Sequence, residues 1–125
     1  MEDYIKEVKR RWGHTDAYKQ STKRTEKWTK ADYKQIEEEG KEITRKIAKL
    51  MDEGFESFNV REQIKKHHQH ICIFYDCSYE MYRNLGQMYV EDVRFTIYYE
   101  KFRPGLAVFM KNAIFYYCDH EEKKK

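Results

Sequence analysis

The feature that most constrains the fold is a row of apolar side chains that recurs with the period of an α-helix. The row occupies positions i, i+3, i+10, i+14 and i+17, and its members are Tyr33, Ile36, Ile43, Ile47 and Leu50. This spacing predicts one helix of about five turns, for which Thr29 is a favourable N-cap. Glu37-Glu38-Glu39 falls on the opposite face, where a solvated surface is a simpler interpretation than a metal site. Asp52-Glu53-Gly54 ends the pattern.

Two similar rows predict helices in the middle of the chain. The first, with Asn59 as its expected N-cap, consists of Val60, Ile64, Ile71 and Phe74. Asp76-Cys77-Ser78 interrupts this pattern, and Ser78 suits the N-cap of the next helix. The apolar row of that helix consists of Met81, Leu85 and Met88.

Two more helices are expected toward the C-terminus. Glu91-Asp92 separates off a helix whose apolar row is Val93, Ile97 and Phe102. Pro104 suits the first turn of the last helix, whose inward-facing residues are Leu106, Phe109, Met110, Ala113 and Tyr117. Only residues 71–75 and 115–117 have the composition of strands, and a single proline among 125 residues disfavours a turn-rich β fold. The patterns predict an all-α fold with a core of four or five helices.

The first 28 residues are expected to be held more weakly than the rest. A short helix is predicted at residues 4–12, with an apolar stripe made of Tyr4, Ile5, Val8 and Trp12. A second helix is predicted at residues 17–27, where Tyr18 is the only large apolar side chain before Trp28. Helices of this length are marginal in water without burial. We therefore expect residues 1–28 to form a loosely held helical segment and residues 29–125 to form the core.

Charge and cysteine usage exclude several classes of protein. The 25 basic and 22 acidic residues are interspersed along the chain and leave a net charge of +3, which is too small and too dispersed for a nucleic-acid surface. No segment approaches the ~18 apolar residues of a membrane span, and the N-terminus lacks a signal peptide. Cys72, Cys77 and Cys118 form an odd set without a CxxC motif, which supports neither a disulfide framework nor a zinc site. A cytoplasmic protein is expected.

The histidines are the most conspicuous candidates for chemistry. His67 and His70 share one helical face, a spacing that metal ligands can use, but no third ligand is recognisable. The neighbouring Lys65-Lys66 makes a poor pocket for haem. Cys77, at a helix N-terminus, is more simply a buried thiol than a nucleophile. We expect structural or solvated histidines and neither a metal nor a cofactor.

Aromatic residues are more numerous than a small core requires, at 16% of the chain with 11 tyrosines and 7 phenylalanines. Each buried phenol needs a hydrogen-bond partner, so leucine, isoleucine and valine would build a core more simply. Rings with polar tips, together with Met81 and Met88, suit a groove for a large, flat and partly polar ligand. Composition alone leaves a tyrosine-rich surface equally open.

Particular strings carry a resemblance to a known family. Residues 4–18 read Y-I-K-E-V-K-R-R-W-G-H-T-D-A-Y, which resembles the N-terminal signature of the TipAS domain, Y-x-x-E-V-x-x-x-W-G-x-T-D-A-Y. Residues 75–82 and 85–90 resemble its central motif, and residues 92–95 and 104–107 resemble its last two motifs. The resemblance spans residues 4–117. TipAS domains are the drug-recognition modules of some MerR-type transcriptional activators.

This resemblance implies a globin-like effector domain without enzymatic activity, which binds bulky antibiotics such as thiopeptides. It also implies that the N-terminal helices are loose without ligand and close over the ligand when it is bound. The full-length regulators bind DNA through a helix-turn-helix domain and dimerise through a coiled coil, and neither segment appears in these 125 residues. The alternative is a standalone protein that sequesters the antibiotic, and a more distant one is a small cysteine- or metal-dependent enzyme.

One position departs from the family pattern. In the branch that captures thiostrepton covalently, a cysteine precedes the Leu-Gly pair of the central motif, whereas this chain has Asn84 there. Because a carboxamide is not a nucleophile, we expect reversible, non-covalent binding. Cys77 corresponds to a second cysteine of the family, which is not the capturing one.

The expected ligand-binding residues fall into three groups. The first consists of rings on the N-terminal segment, namely Trp12, Tyr18 and Trp28. The second lines the cleft and consists of Tyr75, Asp76, Tyr79, Tyr82, Asn84 and Met88. His67 and His70 are weaker candidates for polar contacts.

Overall fold

The computed structural model describes residues 16–123, in which six α-helices and one short 3-10 helix are present and no strand occurs. The helices are α1 (Asp16–Thr25), α2 (Lys30–Lys49), α3 (Phe58–Ile71), α4 (Tyr79–Glu91), α5 (Val93–Glu100) and α6 (Leu106–Lys123), with the 3-10 helix at Met51–Glu53. The predicted all-α fold is confirmed. The helix expected at residues 4–12 lies outside the described residues, as does Trp12.

Local caps explain where several helices begin. The Thr29 hydroxyl accepts from the Asp32 N–H at 3.2 Å, and the Asp32 carboxylate accepts from the Thr29 N–H at 2.9 Å. This reciprocal pair is a capping box, and the predicted N-cap of α2 is confirmed. Ser78 caps α4 as predicted, since its hydroxyl accepts from the Met81 N–H at 3.2 Å.

The predicted cap of α3 is wrong. Ser57, not Asn59, occupies the N-cap position, and its hydroxyl accepts from the Asn59 N–H at 3.1 Å. The helix begins at Phe58, so Asn59 already has helical geometry and lies within the first turn. Its side chain instead donates to the Glu53 carboxylate at 3.1 Å.

Helix α5 presents a different face from the one predicted. Val93 and Ile97 are 69% and 52% exposed, whereas Tyr99 is buried and Phe95 is half-buried. Because α5 packs against both α4 and α6, its aromatic row turns inward and its aliphatic row turns to solvent. The expectation of a Val93–Ile97 core row is therefore corrected.

The start of α6 also differs from the prediction. The helix begins at Leu106, two residues after Pro104, because Gly105 adopts a φ of 90° that only glycine adopts readily. The Glu100 carboxylate accepts from the N–H groups of Gly105 and Ala107 at 2.9 and 3.1 Å. It therefore caps α6 from the end of α5.

The core lies between α4 and α6, with α3 packed against α6 and α2 packed against α3. Gly86 permits the close approach of α4 to α6, since a Cβ atom there would lie 3.4 Å from Ile114 side-chain atoms. The fully buried side chains are Ile47, Val60, Ile64, Tyr82, Leu106, Met110, Ile114 and Cys118. Among the described helices, none is both long enough and apolar enough to cross a membrane.

Candidate functional site

Five of the predicted site residues lie on two parts of the chain that hydrogen bonds join. Tyr18 lies on α1 and Trp28 lies between α1 and α2, while Tyr75, Asp76 and Tyr79 lie in or beside the α3–α4 turn, defined here as residues 72–78. The four rings are half-buried and Asp76 is exposed. The remaining predicted residues lie elsewhere: Tyr82 and His67 in the core, His70 against α2, and Asn84 and Met88 on α4.

Polar contacts hold α1 on the α3–α4 turn. Arg24 donates from Nη1 to the Cys72 carbonyl at 3.1 Å and from Nη2 to the Asp76 carboxylate at 2.8 Å. The Asp76 N–H donates to Gln20 Oε1 at 2.8 Å. Gln20 and Arg24 are four residues apart and therefore share a face of α1. We call this group of four residues the clasp.

Trp28 extends this attachment into α2 and α3. Its ring lies 5.2 Å from the Tyr33 ring and 5.5 Å from the Phe74 ring, centroid to centroid. Tyr33, predicted to be in the core row of α2, is 48% exposed and packs edge-on against Trp28 instead. Phe74 in turn contacts the His70 ring at 6.2 Å.

His67 belongs to a buried hydrogen-bond chain rather than to a surface. Its Nδ1 lies 2.6 Å from the Tyr82 hydroxyl, which donates to the Ile64 carbonyl at 3.2 Å. Because the Tyr82 hydroxyl donates its proton to the Ile64 carbonyl, it accepts a hydrogen bond from His67 Nδ1–H. The other ring nitrogen, Nε2, accepts from the Tyr99 hydroxyl at 3.4 Å. Burial lowers the pKa of His67 to about 3, so the imidazole is neutral.

His68, which was not selected as a site residue, supports the α3–α4 turn from within. Its Nε2 donates to the Cys77 carbonyl at 2.7 Å, and its Nδ1 lies 3.2 Å from the Tyr117 hydroxyl. Its ring also contacts Tyr79 and Tyr82, at centroid distances of 5.7 and 4.5 Å. Tyr82 has no exposed surface. Its ring is connected to the turn through His68, because the ring stacks on His68 and His68 bonds to the Cys77 carbonyl.

His70 ties α3 to α2. Its Nε2 lies 2.8 Å from the Ile36 carbonyl, and because a carbonyl can only accept, Nε2 carries the proton. The ring borders a pocket of about 410 Å³ lined by Glu39, Glu42, Ile43, Lys66, Gln69, His70 and Ile73. A second pocket, of about 550 Å³, lies along the end of α1 and the residues just after it. It is lined by Gln20, Lys23, Arg24, Glu26 and Lys27.

Two of the three thiols, those of Cys77 and Cys118, are not poised for nucleophilic attack, whereas Cys72 in the turn is half-buried. Cys77 and Cys118 are 7% and 0% exposed, and burial raises the pKa of each thiol to about 12. Both are therefore protonated at neutral pH, and a thiol is a poor nucleophile compared with a thiolate. Within residues 16–123, no cluster of three or more histidine, cysteine or acidic side chains could hold a metal ion.

Sequence reasoning missed Gln20, Arg24 and His68. Gln20 and Arg24 lie on a helix with almost no apolar residues, and a pair of polar side chains four residues apart was the available signal. The sequence pattern did not indicate His68, because His67 and His70 share one helical face and His68 lies on another. Its three tyrosine contacts come from α4 and α6, far along the chain.

Comparison with known sequences gives a consistent set of relatives. The family model described as the TipAS antibiotic-recognition domain matches residues 4–117. The HTH-type transcriptional activators TipA of Streptomyces coelicolor and Streptomyces lividans are 44% identical over 116 residues, covering 90% of this chain and 46% of theirs. The HTH-type transcriptional activator mta of Bacillus subtilis is 34% identical over 126 residues, covering 100% of this chain and 49% of that protein. The chain thus spans about half the length of these curated relatives.

Comparison with solved structures agrees. TipAS from Streptomyces lividans, solved in complex with the thiopeptide nosiheptide, has a TM-score of 0.87 and 41% identity, covering 96% of this chain and 86% of that one. The antibiotic-binding domain of a TipA-class multidrug resistance transcriptional regulator has a TM-score of 0.63 and 39% identity, covering 69% of this chain and 95% of that one.

Proposed function

The chain belongs to the TipAS antibiotic-recognition domain family, and we propose that it is the effector domain of a cytoplasmic MerR-type transcriptional activator. In this role it binds a bulky thiopeptide-like or other aromatic macrocyclic compound without forming a covalent bond. The observation that carries the proposal is its similarity, along nearly the whole chain, to a TipAS domain solved with nosiheptide. Binding would bias the regulator toward activation because the compound would have different affinities for the two conformational states of the regulator.

The proposed ligand surface lies where α1 meets the α3–α4 turn. Tyr18 and Trp28 approach from the N-terminal side, and Tyr75 and Tyr79 approach from the turn. Half-buried aromatic rings offer a large contact area at a low cost in side-chain entropy, and phenol hydroxyls fix the orientation of a partly polar ligand. The Asp76 carboxylate adds a charged group to this surface. We propose Trp12 as a further ring, together with Asn84 and Met88 of α4.

The chemistry of Asn84, Cys77 and Cys118 supports non-covalent binding. The position of the capturing cysteine in the thiostrepton-binding branch is occupied here by Asn84, whose carboxamide cannot add to a dehydroalanine. Cys77 and Cys118 are buried and their thiol pKa values are raised to about 12. Addition to an unsaturated residue of the antibiotic requires a thiolate. These same observations disfavour Cys77 and Cys118 as the nucleophile of a cysteine-dependent enzyme.

A heteronuclear NMR titration with nosiheptide and a panel of other macrocyclic antibiotics tests the proposal. We expect saturable shifts concentrated in residues 16–28 and 72–79, with smaller changes in the core. Intact mass spectrometry of the mixture should give the mass of the free protein alone. If no compound in the panel perturbs these amides, the binding role is wrong. If the mass increases by that of one antibiotic, the non-covalent mode is wrong and the role stands.

The regulatory part of the proposal concerns segments beyond these 125 residues. DNA contacts and dimerisation would belong to a helix-turn-helix domain and a coiled coil, because the net charge of +3 is dispersed along this chain. The domain alone should therefore leave duplex DNA unshifted in a gel assay at physiological salt. Retention of the DNA by the domain alone would contradict this division of labour.

A further inference from the structure

Polar contacts form part of the attachment of helix α1 to the core. None of its described side chains is fully buried, so directional hydrogen bonds bear strongly on its orientation. Gln20 and Arg24 supply three such bonds, and both residues reach the α3–α4 turn. Arg24 makes two of the three bonds, and its planar guanidinium imposes a defined direction on each of them.

A second arginine in the described part of the chain bonds to one backbone carbonyl and one aspartate in the same way. Arg103 donates to the Ala48 carbonyl at 3.0 Å and to the Asp52 carboxylate at 2.6 Å. In both cases the acceptors are a carbonyl at the end of a helix and an aspartate four residues later. Such a pair matches the two parallel N–H directions of a guanidinium. Arg103 lies between α5 and α6, in residues 101–105, and joins this segment to the end of α2, so both of its sides belong to the core. Arg24, by contrast, joins α1 to the core.

We propose that Arg24 is a positioning residue for ligand binding, which sets the placement of α1 over the α3–α4 turn through Cys72 and Asp76. Tyr18 and Trp28 lie on either side of Arg24 along the chain, and Tyr75 precedes Asp76 directly. The clasp therefore determines the spacing between the rings of the N-terminal segment and those of the turn. This inference rests on the proposed function, since it assigns a role to Arg24 within the proposed ligand surface.

The test uses Arg24→Gln, Arg24→Lys and the matched control Arg103→Gln. Hydrogen exchange of residues 16–28 measures the attachment of α1 in the free and in the nosiheptide-bound protein, and titration with nosiheptide measures affinity together with association and dissociation rates. Arg24→Gln should raise exchange in residues 16–28 by about fivefold to tenfold, as expected for loss of exposed charge-assisted bonds. Lysine keeps the charge but lacks the fork, so Arg24→Lys should fall between wild type and Arg24→Gln.

The ligand arm separates positioning from direct contact. We expect Arg24→Gln to weaken nosiheptide binding by about fivefold to tenfold, mainly through faster dissociation, with exchange and affinity changing together. Arg103→Gln should raise exchange in the core while the nosiheptide affinity of the folded protein stays unchanged. A loss of affinity in Arg24→Gln with unaltered exchange in residues 16–28 would overturn the proposal, because Arg24 would then act on the ligand directly.

The experiment distinguishes failure of the proposed function from failure of the role proposed for Arg24. If wild type does not bind nosiheptide or any compound of the panel, the binding role fails, and no residue can then position α1 for it. If wild type binds but Arg24→Gln exchanges and binds as wild type does, only the role of Arg24 is wrong. Exchange that rises while affinity is unchanged also overturns it, since α1 placement would then be irrelevant to binding.

Discussion

The imidazole of His68 stacks on the phenol ring of Tyr82, with ring centroids 4.5 Å apart and planes 10° from parallel. From this position His68 donates to the Cys77 carbonyl at 2.7 Å and meets the Tyr117 hydroxyl at 3.2 Å. One side chain of α3 therefore connects the α3–α4 turn to α4 and α6. The turn that carries Tyr75 and Asp76 is consequently anchored in the core.

Replacing His68 should weaken this anchor. His68→Phe keeps a ring that can stack on Tyr82 but leaves the Cys77 carbonyl without its donor, which costs about 1–3 kcal/mol. We expect the unfolding free energy in urea to fall by that amount. His120→Phe is the control, because the His120 side chain stacks on Tyr116 and makes no hydrogen bond to another described side chain. A loss below about 0.5 kcal/mol for His68→Phe would contradict the role of this bond.

His67 should make the domain sensitive to acid. Burial lowers its pKa to about 3, with the charges of His70 and His68 adding to the effect, whereas the unfolded imidazole titrates at about 6.5. As the pH falls, the unfolded state therefore takes up the proton first. The contribution of His67 to the unfolding free energy is complete above pH ~6.5. It declines between ~6.5 and ~3 by up to about 1.4 kcal/mol per pH unit.

The variant His67→Gln isolates this effect. It should be less stable than wild type at neutral pH, because two buried hydroxyls lose their ring partner. Its stability should fall less steeply with acid, so the difference in unfolding free energy should narrow by about 2 kcal/mol between about pH 7 and about pH 5. Urea denaturation at the two pH values measures this. Parallel pH dependences would show that His67 does not titrate as its burial implies.

Gly40 and His70 should be energetically coupled. A methyl group at Gly40 would come within 3.0 Å of His70 Cε1, so Gly40→Ala must displace the ring that donates to the Ile36 carbonyl. Alanine otherwise favours a helix by up to about 1 kcal/mol. We expect Gly40→Ala to be neutral or destabilising in wild type and stabilising by about 0.5–1 kcal/mol in His70→Ala. Additive effects in this double-mutant cycle, measured by urea unfolding, would exclude the contact.

The helix N-caps that depend only on neighbouring residues could be predicted from the sequence. Thr29 and Ser78 were identified as N-caps because capping is decided within about one helical turn. Asn59 was chosen wrongly, since it and Ser57 are both favourable cap residues two positions apart. The helix begins at Phe58, so Ser57 occupies the cap position and Asn59 lies inside the first turn.

Features that depend on packing were not predictable in the same way. Val93 and Ile97 are spaced by four residues, and so are Phe95 and Tyr99, so periodicity cannot tell which row faces α4 and α6. The contacts of Arg24 join residues 48 and 52 positions apart. Such pairs leave no periodic trace in a single sequence. The site residues near the turn were identified through the family resemblance, and their contact with a ligand stays a prediction.

The buried thiols should resist alkylation in the folded protein. With pKa values raised to about 12, Cys77 and Cys118 are almost entirely protonated at about pH 8, where an ordinary thiol is substantially ionised. We expect iodoacetamide to modify them about a thousandfold more slowly than in urea-unfolded protein. Peptide mass spectrometry over time resolves each cysteine, and Cys77→Ser and Cys118→Ser identify the peptides. Folded-state rates close to the unfolded ones would mean that a thiolate forms beside the turn, and that covalent capture through Cys77 has to be reconsidered.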